Sequence, residues 1–215
     1  MKNYISLIAV FFLLACQHNS SPIKELYVLP KKLKEVSGIT SSQQLGFIWA
    51  LEDSGNPNVI YGLDANGVLA QTITITNATN IDWEDISHDK EGNLYLGDFG
   101  NNENTRTDLC IYKIDKKGLK NNSTASTSKI SFAYPEQKDF PPKKKELFYD
   151  VEGFFEFKNN FYLFTKNRSK GFDGTTFLYK VPNINGFHQA QLIGKFKTCG
   201  DYNHCVITSA AISPD

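Results

Sequence analysis

An all-β fold, a β-propeller of four-stranded antiparallel blades with three blades and the opening of a fourth, is what three features of the chain predict. A short motif returns: Glu35-Val36-Ser37-Gly38-Ile39, Asp82-Trp83-Glu84-Asp85-Ile86 and Asp150-Val151-Glu152-Gly153-Phe154 each lead through a tight polar turn into an apolar strand. The recurring unit of roughly 45–65 residues is a blade-sized repeat. Nowhere is there a sustained helical period, so almost no helix is expected, and an aromatic content of 13%, mostly Phe and Tyr, suits half-buried pleated strands.

The chain opens with Lys2 and the apolar run Ile5–Ala15, too short to span a bilayer and suited to the core of a secretory signal. Leu13-Leu14-Ala15-Cys16 resembles a bacterial lipobox, in which the cysteine is lipidated and becomes the first mature residue; an ordinary signal peptide with Cys16 incidental is the alternative. Residues 1–16 are thus read as a signal, polar residues 17–25 as a flexible tether, and 26–215 as the partial propeller. The resemblance implies export and attachment to the cell envelope, in an outer membrane, through lipid on Cys16.

The strands follow in order. Glu25–Leu29, closed by Pro30, is a short strand candidate. The first blade takes Val36–Thr40, Phe47–Leu51, Val59–Leu63 and Leu69–Ile75, with Asp64-Ala65-Asn66-Gly67 as a hairpin turn supplying positive φ. The second runs from Ile81 through Tyr95, then Leu109–Ile114 and Lys129–Tyr134, and its outer loop Lys116–Ser128 is polar and expected to be mobile. The third takes Gly153–Phe157, Phe161–Thr165, Thr176–Val181 and Gln191–Phe196. Val206–Ser213 begins a fourth. Closed propellers usually carry four to eight blades, so the chain reads as the N-terminal part of a longer propeller, or else as a small one with an atypical last blade.

Charge excludes one class of partner. The chain has 23 basic and 23 acidic side chains and an isoelectric point near 6.9, which leaves no footprint for nucleic acid. Its one basic run, Lys143-Lys144-Lys145, reads as a solvated loop. Cys199 and Cys205 flank a turn-rich loop and are expected to form a local disulfide; a metal site of Cys199, His204 and Cys205 matches no zinc spacing. Cys110 reads as a buried thiol, and Trp49 and Trp83 as packing between blades.

The carboxylates carry the chemistry. A turn at Asp89–Gly92 places Ser87 near Leu94, Asp85 near Leu96 and Trp83 near Asp98, which gathers Asp82, Glu84, Asp85, Asp98, Asn101 and Asn102 at one hairpin end. The turn at Lys158-Asn159 brings Asp150 and Glu152 toward Lys166-Asn167-Arg168, and Glu35 and Ser37 approach Glu52-Asp53-Ser54. Acidic and amide oxygens converging on one mouth suit Ca²⁺, which takes six to eight oxygens. The candidate ligands are Glu84, Asp85, Asp98, Asn101, Asn102 and Asn167. Strand-end Asp and Asn that merely cap turns are the bland alternative.

Trp83-Glu84-Asp85-Ile86 followed by Asn93-Leu94-Tyr95-Leu96 and Asp98 resembles the blade opening of the calcium-dependent six-bladed gluconolactonase, paraoxonase and strictosidine-synthase-like superfamily. The resemblance implies a central calcium with Glu84 and Asp85 as the matching pair, and hydrolysis of lactones or esters. Glu35–Arg106 also resembles propeller lipoproteins of Gram-negative bacteria, a likeness that brings no activity. His88 lies four residues past Glu84, about 13 Å away along a strand, so Glu84 or Glu152 would have to act as catalytic base. The functional expectation is an envelope-tethered binding module for a small molecule or protein, with room for calcium in its central channel. A calcium-dependent esterase or lactonase, or an inactive fragment, are the alternatives.

Overall fold

The computed structural model describes residues 25–42 and 44–213. Cys16, the expected signal over residues 1–16 and residues 17–24 of the expected tether lie outside them. Strand accounts for 43% and helix for 5%, in three mostly antiparallel sheets, none of them closed. The first sheet is built from β1 (Val36–Ser41), β2 (Ile48–Glu52), β3 (Val59–Leu63) and β4 (Leu69–Ile75), paired in chain order. The second holds β5 (Trp83–His88), β6 (Leu94–Asp98) and β7 (Cys110–Ile114). A 3₁₀ turn over Lys116–Lys120 and a two-residue strand β8 (Ser123–Thr124) come before its outer antiparallel member, β9 (Ser128–Ala133). The third takes β10 (Asp150–Phe157), β11 (Asn160–Lys166) and β12 (Thr175–Pro182), then, after β13 (Gly186–Gln189), the strand β14 (Gln191–Lys197). One helical turn, α1 (Tyr202–Cys205), follows.

Each of the first two sheets has five strands rather than the expected four, and the fifth is borrowed. β8 pairs in parallel with β4, and β13 pairs in parallel with β9. The segment expected to be a mobile loop, Lys116–Ser128, therefore contains the edge strand of the preceding sheet. Gln71 Nε2 reinforces the graft by donating to the Leu119 carbonyl at 2.7 Å. Glu25–Leu29 is not a strand; it runs irregularly, with Leu29 and Leu33 packed beside Tyr61 and Leu63 on the outer face of the first sheet.

Two apolar layers separate the sheets. Between the first and second lie Trp49, Leu51, Ile60, Ile73, Trp83, Ile86, Leu94 and Leu96. Tyr95, Phe99, Ile111, Phe132, Phe154, Phe161, Leu163 and Tyr179 fill the space between the second and third. The middle sheet is covered on both faces, which is why β6 is buried at every position instead of alternating. On β11 the burial alternates: Phe161, Leu163 and Thr165 are buried, while Tyr162 and Phe164 are half-buried beside Phe155. Cys110 is a buried free thiol.

The hairpin register differs from the expected one. Ser87 faces Tyr95 and Asp85 faces Gly97, one residue along, yet Trp83 does face Asp98. The offset is absorbed by a β-bulge between Trp83 and Asp85, whose unpaired residue is Glu84. Equivalent bulges fall between Val36 and Gly38 and between Val151 and Gly153, at Ser37 and Glu152. A bulge takes its extra residue out of the ladder and re-aims its side chain, so three first strands turn out the same position.

These first strands lie side by side without a backbone ladder, joined by side chains reaching main-chain groups. Ser37 Oγ donates to the Trp83 carbonyl at 2.8 Å, and the Glu156 amide donates to Ser87 Oγ at 3.1 Å. Gly38 fits the gap because a Cβ there would stand 2.7 Å from Asp85 Cα and 2.8 Å from the Ile86 nitrogen. Residues 206–213, where a fourth first strand is expected, form no strand. They nevertheless lie along β10, with Ser209 and Ala210 against Gly153.

Candidate metal centre at the acidic junction

Where the bulged ends of β5 and β10 meet the end of β2, five carboxylates converge. Oxygens of Asp53, Asp82 and Glu84 lie within 4.8 Å of one another, and so do those of Glu84, Asp150 and Glu152. Glu84 belongs to both groups. The local folding explains each placement. Asn80 Nδ2 donates to the Glu52 and Asp53 carbonyls at 2.9 Å each, and its Oδ1 accepts from the Trp83 amide at 3.0 Å. That clamp holds the Asp53 turn beside Asp82. The Gly100 amide donates to the Asp82 carbonyl at 3.1 Å, and a Cβ on Gly100 would fall 2.3 Å from Glu84 Oε1 and 2.4 Å from Asp82 Oδ2. Glycine at this position leaves room for both carboxylates.

The two halves differ in charge compensation. Asp150 Oδ2 accepts from Arg168 Nε at 2.6 Å and its Oδ1 from the Asn101 amide at 2.7 Å. Glu152 Oε1 accepts from Arg168 Nη2 at 2.8 Å and from Lys166 Nζ at 3.0 Å. Asp53, Asp82 and Glu84, in contrast, have no cationic side chain in ion-pair contact among the described residues. Glu84 is 7% exposed, and none of the hydrogen bonds among the described residues reaches its carboxylate. Burial pushes the Glu84 carboxyl up to about 9, with Glu152, Asp82, Asp53 and Asp150 adding repulsion. Burial likewise raises Asp82 to about 6 and Glu152 to about 7.

The other expected site residues have different surroundings. Asp85 is one layer further in, where it staples the sheets together: Oδ1 accepts from the Ile86 amide at 2.9 Å, and Oδ2 from the Phe154 amide at 3.1 Å and Ser209 Oγ at 3.3 Å. Burial raises its carboxyl to about 7 against the pull of those amides. Asp98 Oδ1 accepts from Arg106 Nη2 at 2.9 Å and the Asp82 amide at 3.1 Å, while its buried Oδ2 has no hydrogen-bond partner among the described residues. Asn101 Oδ1 accepts from the Arg106 amide at 2.9 Å, Asn102 Oδ1 accepts from Arg168, and Asn167 Oδ1 from the Ser169 amide at 2.9 Å. The oxygens of all three amides are therefore engaged within the protein. Asp53, Asp82 and Asp150, which the hairpin ends already brought near the mouth, complete the cluster in their place.

Cys199 and Cys205 form a disulfide whose loop presents Tyr202, and the Tyr202 hydroxyl accepts from Arg168 Nη1 at 3.0 Å. His88 is remote from the carboxylates in its bonding: Nδ1 shares a hydrogen bond with Thr40 Oγ1 at 2.7 Å, and burial lowers its basicity. No helix among the described residues is long and apolar enough to cross a membrane.

The cluster suits a hard divalent cation. Ca²⁺–oxygen distances of about 2.3–2.6 Å put ligand oxygens at most about 5 Å apart across the ion, and the spread of 4.8 Å meets that limit. All the donors are carboxylates, with no imidazole or thiolate in either group, a set that favours Ca²⁺, Mg²⁺ or Mn²⁺ over zinc or copper. No protein-family model matches the chain, and no curated protein matches it. Among solved structures it is similar to the computationally designed Ika4 protein, with a TM-score of 0.39 and 10% identity over 88% of this chain and 87% of that one. A likeness of that size assigns neither family nor activity.

Proposed function

We propose that the chain is an envelope-tethered binding module of propeller type that holds Ca²⁺ among Asp53, Asp82 and Glu84. In this reading the three sheets are successive blades, and residues 206–213 take the first-strand place of a further one. The observation that carries the metal assignment is Glu84: its buried carboxylate has no cation or donor, and it is aimed among four other carboxylates. An ion there would draw ligand oxygens from two neighbouring sheets at once and so lock them together.

Thermal unfolding in calcium against chelator is the direct test. A ligand at 100 times its Kd adds about 2.7 kcal/mol to the folded state, so calcium is expected to raise the midpoint by several degrees. The Glu84→Gln variant keeps the shape and removes the charge; it should fold without calcium and lose the calcium-dependent rise. An identical midpoint in calcium and chelator for the natural chain would end the assignment.

The attachment through Cys16 rests on the lipobox-like residues alone. Incorporation of labelled palmitate that disappears in Cys16→Ser is the expected result, and unlabelled natural protein would remove the anchor.

A second reading, calcium-dependent hydrolysis of esters or lactones, is favoured by the place of Glu152, whose carboxylate lies within 4.8 Å of that of Glu84 and is raised by burial to about 7, where a general base works best. Aryl esters and lactones assayed with Glu152→Gln and Glu84→Gln separate binder from hydrolase. Equal rates for variants and natural chain would leave the binding module alone.

A further inference from the structure

Behind Arg168 the acidic junction has a second wall of opposite charge. A cavity of about 320 Å³ opens there, lined by Pro141, Pro142 and Leu147 together with Lys144, Lys170 and Arg168. Glu103 is the one acid on its lining. The backbone builds this arrangement deliberately close: the Lys170 amide donates to the Lys144 carbonyl at 2.6 Å, and the Arg168 amide to the Leu147 carbonyl at 2.9 Å. The Leu147 amide donates in turn to Ser169 Oγ at 2.9 Å. Residues 144–147 are thereby strapped against 168–170, and two lysines end up next to each other at the cavity. Neither Lys144 nor Lys170 forms an ion pair among the described residues, whereas Lys166 and Lys197 each have a carboxylate. The middle lysine of the basic run thus lines this cavity while staying exposed to solvent, as all three lysines of the run are.

Arg168 connects this pocket to the carboxylates. Its Nε and Nη2 are committed to Asp150, Glu152 and Asn102. Nη1 contacts only the Tyr202 hydroxyl, so one of the five guanidinium N–H groups is left over. Lys144, Lys170 and Arg168 thus put three cationic side chains on the lining of one cavity. A planar carboxylate has two oxygens to offer them; a phosphate or phosphonate has three. Charge-assisted bonds from Lys and Arg to such oxygens are short and strong.

We propose that this cavity is an oxyanion subsite that seats the phosphate group of a small phosphate ester, next to the cation held at Glu84. The proposal rests on the cation reading above and names the ligand class for the same junction. The short apolar wall of Pro141, Pro142 and Leu147 accepts the organic part of the ligand.

Phenylphosphonate, which cannot be hydrolysed, is the probe, measured by titration calorimetry on the full chain with calcium and with chelator. Calcium-supported binding is expected in the natural chain. The Lys144→Ala/Lys170→Ala double variant, altered only at exposed side chains, should bind phenylphosphonate about tenfold or more weakly with calcium affinity unchanged. Lys144→Arg/Lys170→Arg should restore it. If calcium binds and phenylphosphonate does not, or if the alanine variant binds it as well as the natural chain, the oxyanion subsite falls and the cation site stands. Binding of benzoate as tight as that of phenylphosphonate would overturn the three-oxygen argument. Phosphonate binding that is indifferent to chelator would overturn the link to Glu84, and a chain that binds neither calcium nor phosphonate would sink both readings.

Discussion

Replacement of Arg168 by methionine is expected to lower folding stability by about 3–5 kcal/mol at neutral pH, the usual result of removing one partner of a buried ion pair. Asp150 is fully buried and loses the Nε contact at 2.6 Å; Glu152 loses one of its two cations and keeps Lys166. The methionine fills much of the vacated space, so the loss comes from stranded charge more than from a void. Arg168→Lys should recover only part, because one ammonium cannot imitate a fork that holds two carboxylates and Asn102 together. Urea unfolding of the natural chain and both variants at neutral pH measures the loss. A loss under about 1 kcal/mol at neutral pH would mean that the guanidinium is not what holds these carboxylates.

The second large effect is an inverted pH dependence without metal. Unfolded carboxyls titrate near about 4, whereas burial carries Asp82 to about 6, Glu152 to about 7 and Glu84 to about 9 in the folded chain. Between those limits the folded state keeps protons that the unfolded state has released. The stabilising contribution of these groups is therefore complete below the unfolded value and is lost as pH climbs through 6, 7 and 9. Each such proton gives a slope of up to about 1.4 kcal/mol per pH unit. Metal-free protein should unfold at progressively lower temperature from about pH 5 to about pH 9. Calcium needs the ionised carboxylates, so its affinity should rise over the same range and its binding should release protons. Melting curves with chelator and with calcium are then expected to diverge as pH increases. Glu84→Gln should flatten the chelator curve most at its alkaline end. Parallel curves would show that the carboxyls ionise freely and have no stake in the ion.

Much of this was legible in the residues. The Asp82, Glu84, Asp150 and Glu152 positions follow from strand ends that repeat the same motif, and Asp53 from the hairpin that returns beside Glu35. The apolar alternation located nearly every antiparallel strand. What escaped was whatever depends on a partner distant in sequence. Counting back from the Asp89–Gly92 turn gives Asp85 opposite Leu96, because nothing local announces that Glu84 will leave the ladder; the bulge becomes visible only when Gly38 is seen seated against Asp85 and Ile86, and Gly153 against Ser209 and Ala210. Asn101 and Asn167 have the right chemistry for a metal, but backbone amides at Arg106 and Ser169 claim their oxygens. Ser123–Thr124 is strand only because Thr74 and Ile75 lie alongside it.

That borrowing of edge strands has a consequence for synthesis on the ribosome. The outer edge of β4 stays unprotected until residues 123–124 have emerged, and that of β9 until residues 186–189 have. A nascent chain therefore always trails one sheet whose last strand offers bare amides and carbonyls, a template for mispairing with another polypeptide. Translational pauses after Ile75 or Ala133 lengthen that exposure, and pauses after Thr124 or Gln189 come once the edge can be sealed.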